Sequence, residues 1–253
     1  MKDFAPIFAT KKTFVAYLTA GHGGLNFSQA AALALIDGGV DILEIGVPFS
    51  DPIADGPTIQ AAMYDACQRG VSLNEVFTLI TKIKSQRDIP IVLFSYYNPL
   101  FSSGLANTLQ RAADAGVDAT LIVDLPLEES AAYFQHAKQQ LIAPIGLLSP
   151  STSQARMLDI DTHSQGFLYY VCRNGTTGVK RDLPENFVSR MSAIKAQANN
   201  PVICGFGIGT RAVAKSAIAH ADGFVVGSAF VAAISQGAKA SDLQQLATDI
   251  DPR

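Results

Sequence analysis

Two carboxylates in one short stretch, Glu44 and Asp55, are the residues best placed by type and spacing to do chemistry. They belong to Leu43–Gln60, LEIGVPFSDPIADGPTIQ, which begins as a strand and ends as a helix. Pro48, Pro52, Pro57, Asp51, Asp55 and Gly56 fill the connection. Alternation along the strand half puts Ile42, Glu44 and Gly46 on one face and the wholly apolar Leu43, Ile45 and Val47 on the other. The apolar face suits packing under helices, so Glu44 falls on the face that the sheet encloses. An ionised carboxylate there is costly without partners. Two readings stand: a salt-bridged structural glutamate, or a catalytic carboxylate with Asp55 supplied as a second acid by the loop beyond. The second is favoured.

Positioning these acids requires a scaffold, and the pattern along the chain supplies one. Apolar, β-rich runs recur at Thr13–Thr19, Asp41–Val47, Ile91–Ser95, Ala119–Val123, Pro144–Leu148, Phe167–Val171, Val202–Gly205 and Gly223–Val226. Helical patterns fall between them at Phe27–Asp37, Leu73–Ser85, Ala106–Ala115, Glu128–Gln140, Thr152–Ile160, Pro184–Ala198, Thr210–Ala219 and Ser228–Ser235. Further helices are expected at Gly56–Gln68 and Ser241–Thr248. Gly38-Gly39 and Gly116 mark helix ends, Glu128 and Glu129 suit a helix start that Lys138 helps close, and Pro184 suits a first turn. Eight strand–helix units without a linker or composition shift predict an α/β fold: one (β/α)8 TIM barrel domain over 1–253, with extra helices. An open doubly wound sheet is the rival. In a barrel the active site lies at the C-terminal strand ends, where Glu44 and Asp55 both fall.

Two glycine clusters, Gly205-Phe206-Gly207-Ile208-Gly209-Thr210 and Gly227-Ser228-Ala229, occupy the ends of strands seven and eight, where barrels bind phosphate through loop amides and a short helix N-terminus. Ser228 adds a hydroxyl donor. A third cluster, Gly175-Thr176-Thr177-Gly178, follows strand six. Ordinary turns are the alternative for each. Tyr17, Tyr96, Tyr169 and Phe206 fall at or near strand ends, which next to a phosphate site suggests a ligand with an aromatic ring at one end and a phosphate at the other. Asp124, after strand four, is either a third functional acid or a cap of the loop toward Glu128.

Other chemistries are disfavoured. A dinucleotide fingerprint fails because position 210 is threonine, and there is no P-loop or nucleophile elbow. His22, His136, His163 and His220 show no metal-ligand spacing with Cys67, Cys172 and Cys204, so no metal is expected. A net charge of -3 without a basic block argues against a nucleic-acid surface, and no apolar run has the length of a membrane span. Without a signal-peptide pattern, and with an odd number of scattered cysteines, a cytoplasmic location is expected.

LEIGVPFSDPIADGPTIQ, together with FVAYLTAG, LFSYYNPLF, LIVDLPLEES, CRNGTTG, GFGIG and VVGSA in that order, closely resembles the tryptophan synthase α chain over about Phe14 to Ala229. The resemblance implies retro-aldol cleavage of indole-3-glycerol phosphate to indole and glyceraldehyde 3-phosphate, a lyase step in tryptophan biosynthesis. It implies no cofactor in this chain and an α2β2 assembly, with pyridoxal phosphate on a β chain that receives indole. By the same resemblance Glu44 is the catalytic glutamate and Asp55 the acid that accepts the indole N–H. Tyr17, Tyr96, Leu121 and Tyr169 match pocket-lining positions, and Gly178, Gly207, Gly227 and Ser228 match phosphate-site positions. Thr177 matches the threonine of a lid formed by about Arg173 to Asp182, and Asp51 with its neighbouring prolines lies where the family meets the β chain. The chain departs from relatives at Gly21-His22-Gly23-Gly24, Tyr17 and Cys172. Two rivals remain: another phosphate-binding barrel acting on a sugar phosphate, for which no plausible Schiff-base lysine stands on the strands, and a non-catalytic regulator of a β chain.

Overall fold

The computed structural model describes residues 3–172, 182–205 and 207–253. Its strands are β1 (Thr13–Thr19), β2 (Ile42–Gly46), β3 (Ile91–Ser95), β4 (Ala119–Ile122), β5 (Ala143–Pro144), β6 (Gly146–Leu148), β7 (Leu168–Val171), β8 (Val202–Gly205) and β9 (Gly223–Val226). All pairings are parallel, and the sheet order is β5-β4-β3-β2-β1-β9-β8-β7-β6. The two ends of that order, β5 and β6, are separated in the chain by Ile145 alone. They are the halves of one strand, so the sheet closes on itself as the expected (β/α)8 barrel.

The surrounding helices are α1 (Ala5–Thr10), α2 (Leu25–Asp37), α3 (Pro57–Gln68), α4 (Leu73–Lys84), α5 (Tyr97–Ser102), α6 (Leu105–Ala115), α7 (Ala131–Gln139), α8 (Gln154–His163), α9 (Phe187–Lys195), α10 (Arg211–Ile218), α11 (Ser228–Ser235) and α12 (Ala240–Ile250). Several differ from expectation. Glu128 and Glu129 form a separate 3-10 turn, Leu127–Glu129, before α7. Pro184 stands ahead of α9, its carbonyl accepting the Phe187 N–H at 2.9 Å, and not in the helix's first turn. Neither α1 nor α5 was foreseen; both are six-residue helices, too short for a sequence pattern to reveal.

Strand alternation divides the core in two. Leu43, Ile45 and Val47 face outward into the large cluster under the helices, with Phe14, Leu93 and Phe224. Val15, Ile42, Val92, Ala119, Ile203 and Val225 fill the barrel interior. Below them α1 closes the N-terminal end: Phe4 and Phe8 meet the Phe167 ring at 6.0 and 5.8 Å between centroids.

A second ring of contacts ties that end together. Asp41, Asp118 and Asp222 each stand one residue before a strand and accept an N–H from the start of the neighbouring one: Phe14, the second residue of β1, and Ile91 and Val202, the first of β3 and β8, at 2.8, 2.9 and 2.9 Å. Each also meets cations, Lys11 and Arg253 for Asp41, Lys84 for Asp118, and Lys195 and Lys12 for Asp222. These acids satisfy backbone donors that a closed sheet would otherwise leave at its edge.

Candidate active site

Glu44 sits in β2 opposite Tyr17 of β1 and Val92 of β3, facing into the barrel. It is 1% exposed, and neither carboxyl oxygen has a hydrogen-bond partner among the described residues. The salt-bridged structural reading has no support there. Burial alone pushes its carboxyl from an ordinary 4.5 up to about 8.

Asp55 arrives from the connection after β2 and is 5% exposed. A turn holds it: the Asp55 N–H donates to the Pro52 carbonyl at 3.0 Å, and Gln60 Nε2 donates to the Asp55 carbonyl at 3.0 Å. Tyr96, at the C-terminal end of β3, donates its hydroxyl to Asp55 Oδ2 at 2.8 Å and accepts the Ala54 N–H at 2.9 Å. Burial pushes the Asp55 carboxyl up to about 6, and the Tyr96 hydrogen bond opposes that rise. Near pH 7 the two acids therefore differ in state: Glu44 keeps its proton and Asp55 is an anion.

Both acids open onto one cavity of about 270 Å³ at the C-terminal end of the barrel. Tyr17, Glu44, Asp55, Tyr169, Gly207, Gly227 and Ser228, all singled out in the sequence, line it together. Tyr17 and Tyr169 lie low across the opening because two strand glycines make room. A Cβ on Gly46 would run into the Tyr17 hydroxyl, and one on Gly205 into the Tyr169 hydroxyl, well inside van der Waals contact. The Tyr17 hydroxyl is within 3.1 Å of Thr19 Oγ1. Burial, with the nearby carboxylates, pushes both phenols up, so they remain neutral. Gly227 caps α11 and Ser228 begins it, and both line the cavity, so a helix N-terminus stands at its edge, an arrangement suited to an anion.

Two expected lining residues are elsewhere. Tyr96 is buried behind Asp55 as its hydrogen-bond donor, and Leu121 is fully buried in the barrel interior outside the cavity wall. Thr177, Gly178 and Phe206 lie outside the described residues, as does the lid segment from Arg173 to Arg181. Asp124 is exposed, and its Oδ1 accepts the Tyr97 N–H at 2.7 Å, so it caps α5 rather than the loop toward Glu128. The sequence reading missed Phe94, Val123, Leu147, Val171 and Val225, which complete the apolar wall. The alternation that turned Glu44 inward would have found them, had it been carried along every strand. Among the described residues, no group of three or more His, Cys, Asp or Glu is placed to hold a metal ion.

A parallel barrel with a protonated and an ionised carboxyl at its mouth, an apolar aromatic wall and a glycine-edged helix start defines a (β/α)8 enzyme for a substrate both aromatic and anionic. The family model for the tryptophan synthase alpha chain matches residues 6–251, and the chain belongs to that family. It is 51% identical to the tryptophan synthase alpha chain of Coxiella burnetii (strain CbuK_Q154) over 97% of this chain and 95% of that one. It is 44% identical to that of Chlamydia felis over the whole of both. Among solved structures, the tryptophan synthase alpha chain of Legionella pneumophila superposes with a TM-score of 0.88 at 29% identity, covering 99% of this chain and 96% of the other. A chain of the Pyrococcus furiosus tryptophan synthase complex superposes with a TM-score of 0.87 at 33% identity, covering 95% and 98%. The protein is thus a lyase of tryptophan biosynthesis that cleaves indole-3-glycerol phosphate. The family implies a β-chain partner. No helix among the described residues is long and apolar enough to cross a membrane.

Proposed function

We propose that Glu44 and Asp55 carry the cleavage. The protonated Glu44 gives its proton to indole C3, making the ring an indoleninium-like cation. Asp55, an anion, accepts a hydrogen bond from the indole N–H and stabilises that cation in a water-poor pocket. Glu44, now a carboxylate, takes the proton from the hydroxyl on the adjacent glycerol carbon. The carbon–carbon bond then breaks, its electron pair returns to the ring, and the glycerol carbon becomes the aldehyde. Indole and glyceraldehyde 3-phosphate leave, and Glu44 is again protonated. The observation that carries this assignment is the unpartnered, fully buried Glu44 carboxyl facing the same cavity as the Tyr96-anchored Asp55.

Tyr17 and Tyr169 flank the indole, and the ends of β8 and β9, with Gly207, Gly227 and Ser228, hold the phosphate. Thr177, Gly178 and Phe206 are assigned the lid, phosphate and wall roles that the family resemblance implies. The chain works as one barrel domain over 1–253 without a cofactor of its own, in the cytoplasm. It pairs in an α2β2 assembly with a β chain that holds pyridoxal phosphate. Ile53 and Phe101 support this docking: both are large apolar side chains on the surface, 80% and 59% exposed, on segments that meet at Tyr96.

The test is indole release from indole-3-glycerol phosphate, with and without a β chain, for wild type and Glu44→Gln. Release that the partner raises and the substitution abolishes is expected. Retained turnover in a pure, folded Glu44→Gln enzyme would remove Glu44 from the reaction.

A further inference from the structure

The barrel wall has an opening beside the active site. β4 pairs with β5 only at Ala119–Ala143 and Thr120–Pro144, and the last bond across is the Ile145 N–H to the Thr120 carbonyl at 2.9 Å. Beyond it the strands part company. Val123 donates its N–H back to Ser95 on the β3 side at 3.1 Å, while Gly146–Leu148 pairs with β7. No further rung between β4 and β6 is formed among the described residues.

A second cavity, of about 470 Å³, lies over this seam between α7 and α8. Val123 and Leu147 line both it and the active-site cavity, so the two spaces share a wall only two side chains wide. The rest of the second cavity is mixed: Ile122, Leu125, Phe134 and Ile160 supply apolar surface, and Asp124, Thr152 and Arg156 stand among the polar residues beside them. Its buried hydroxyls have their protons committed. The Tyr133 and Thr120 hydroxyls pair at 2.7 Å, Ser130 Oγ donates to the Leu127 carbonyl at 2.7 Å, and Ser164 Oγ donates to the Ile160 carbonyl at 2.6 Å. Hydroxyl lone pairs remain as acceptors. Arg156, in the lining, pairs with Glu128 through both terminal guanidinium nitrogens. Apolar side chains beside hydroxyl acceptors suit a neutral ring with one N–H donor, and the Asp124 carboxylate, with Arg156 already paired, disfavours an anion.

We propose that this cavity is a second binding site for a neutral bicyclic aromatic of indole's shape, adjoining the active site through the β4–β6 seam. The identity of the ligand as the reaction's own product rests on the cleavage proposed above. The phosphate-bearing substrate is excluded, and the released ring is admitted.

The probe is 5-fluoroindole followed by 19F NMR, with the active site filled by indole-3-propanol phosphate, which lacks the hydroxyl that cleavage requires. Wild type is expected to keep a bound fluoroindole signal under saturating phosphate analogue. Leu125→Trp, filling the cavity from the loop after β4, should weaken that binding about tenfold while still cleaving substrate. Phe134→Leu, which removes a ring from the wall, should weaken it less. Complete displacement of fluoroindole by the analogue, or unchanged affinity in both folded variants, would overturn the proposal. Indole release measured on the same wild-type preparation separates failure of this site from failure of the cleavage assignment.

Discussion

The two ends of the barrel treat their acids in opposite ways. At the N-terminal end Asp41, Asp118 and Asp222 each accept a backbone N–H and meet at least one cation. At the C-terminal end Glu44 is more deeply buried than any of them and has no partner among the described residues. Both sets stand on strands or just before them, so position on the strand decides the outcome. An acid at a strand's start finds the neighbouring strand's N–H; Glu44, within a strand and facing the interior, finds no hydrogen-bond partner among the described residues. The first kind closes the sheet. The second stores a proton at a pH where carboxylic acids are ordinarily ionised.

Exchanging the charge at each end should break the molecule differently. Glu44→Gln is expected to lower the cleavage rate about 10⁴-fold, the upper range for a single acid–base group. The same substitution should stabilise the fold at alkaline pH. Folded Glu44 holds its proton up to about pH 8, whereas the unfolded chain releases it near 4.5, so the folded state binds more protons between those values. Its contribution is full below 4.5 and is lost as the pH rises through 8. Denaturant titrations should show Glu44→Gln gaining roughly 4 kcal/mol over wild type at pH 9 relative to pH 4.

Asp118→Asn should do the reverse. Lys84 loses its ion pair, and stability falls by about 2 kcal/mol, with kcat in the intact complex within about twofold of wild type. A large loss of kcat without a loss of stability would erase the distinction between the two ends. Tyr96→Phe is the finest probe. Its hydroxyl holds Asp55 below the value that burial alone would set, so the acidic limb of the kcat/KM profile, near pH 6 in wild type, should move upward. The rate at pH 7 should fall about tenfold. An unmoved limb would show that Asp55 does not govern it.

Much of this contrast was legible in the sequence because it follows from strand parity. Glu44 could be turned inward from its neighbours alone, and Asp55 followed from the proline-rich connection. The structural aspartates were legible too, yet went unread. Gly39-Val40-Asp41 and Gly116-Val117-Asp118 repeat a short signal ahead of β2 and β4, but His220-Ala221-Asp222 ahead of β9 keeps only its last residue. Three residues are too few to register as a repeat. What no local pattern could give is the third dimension of each strand end. Tyr96 and Leu121 both belong to the right strands, but one swings behind the acid-bearing loop and the other stays within the barrel interior. The split of the fifth strand at Ile145 depends on which neighbour each half can reach, and so is set by closure of the whole sheet.

The central claim is that an unpartnered carboxyl at the mouth of the barrel remains protonated at neutral pH. The most direct test is a 13C NMR titration of protein labelled at the glutamate side-chain carboxyl carbons, comparing wild type with Glu44→Gln. One resonance, absent from the variant, should titrate near pH 8 in wild type. If the resonance missing from the variant instead titrates near 4.5 in wild type, Glu44 is an ordinary ionised carboxylate and the proton cycle built on it is wrong.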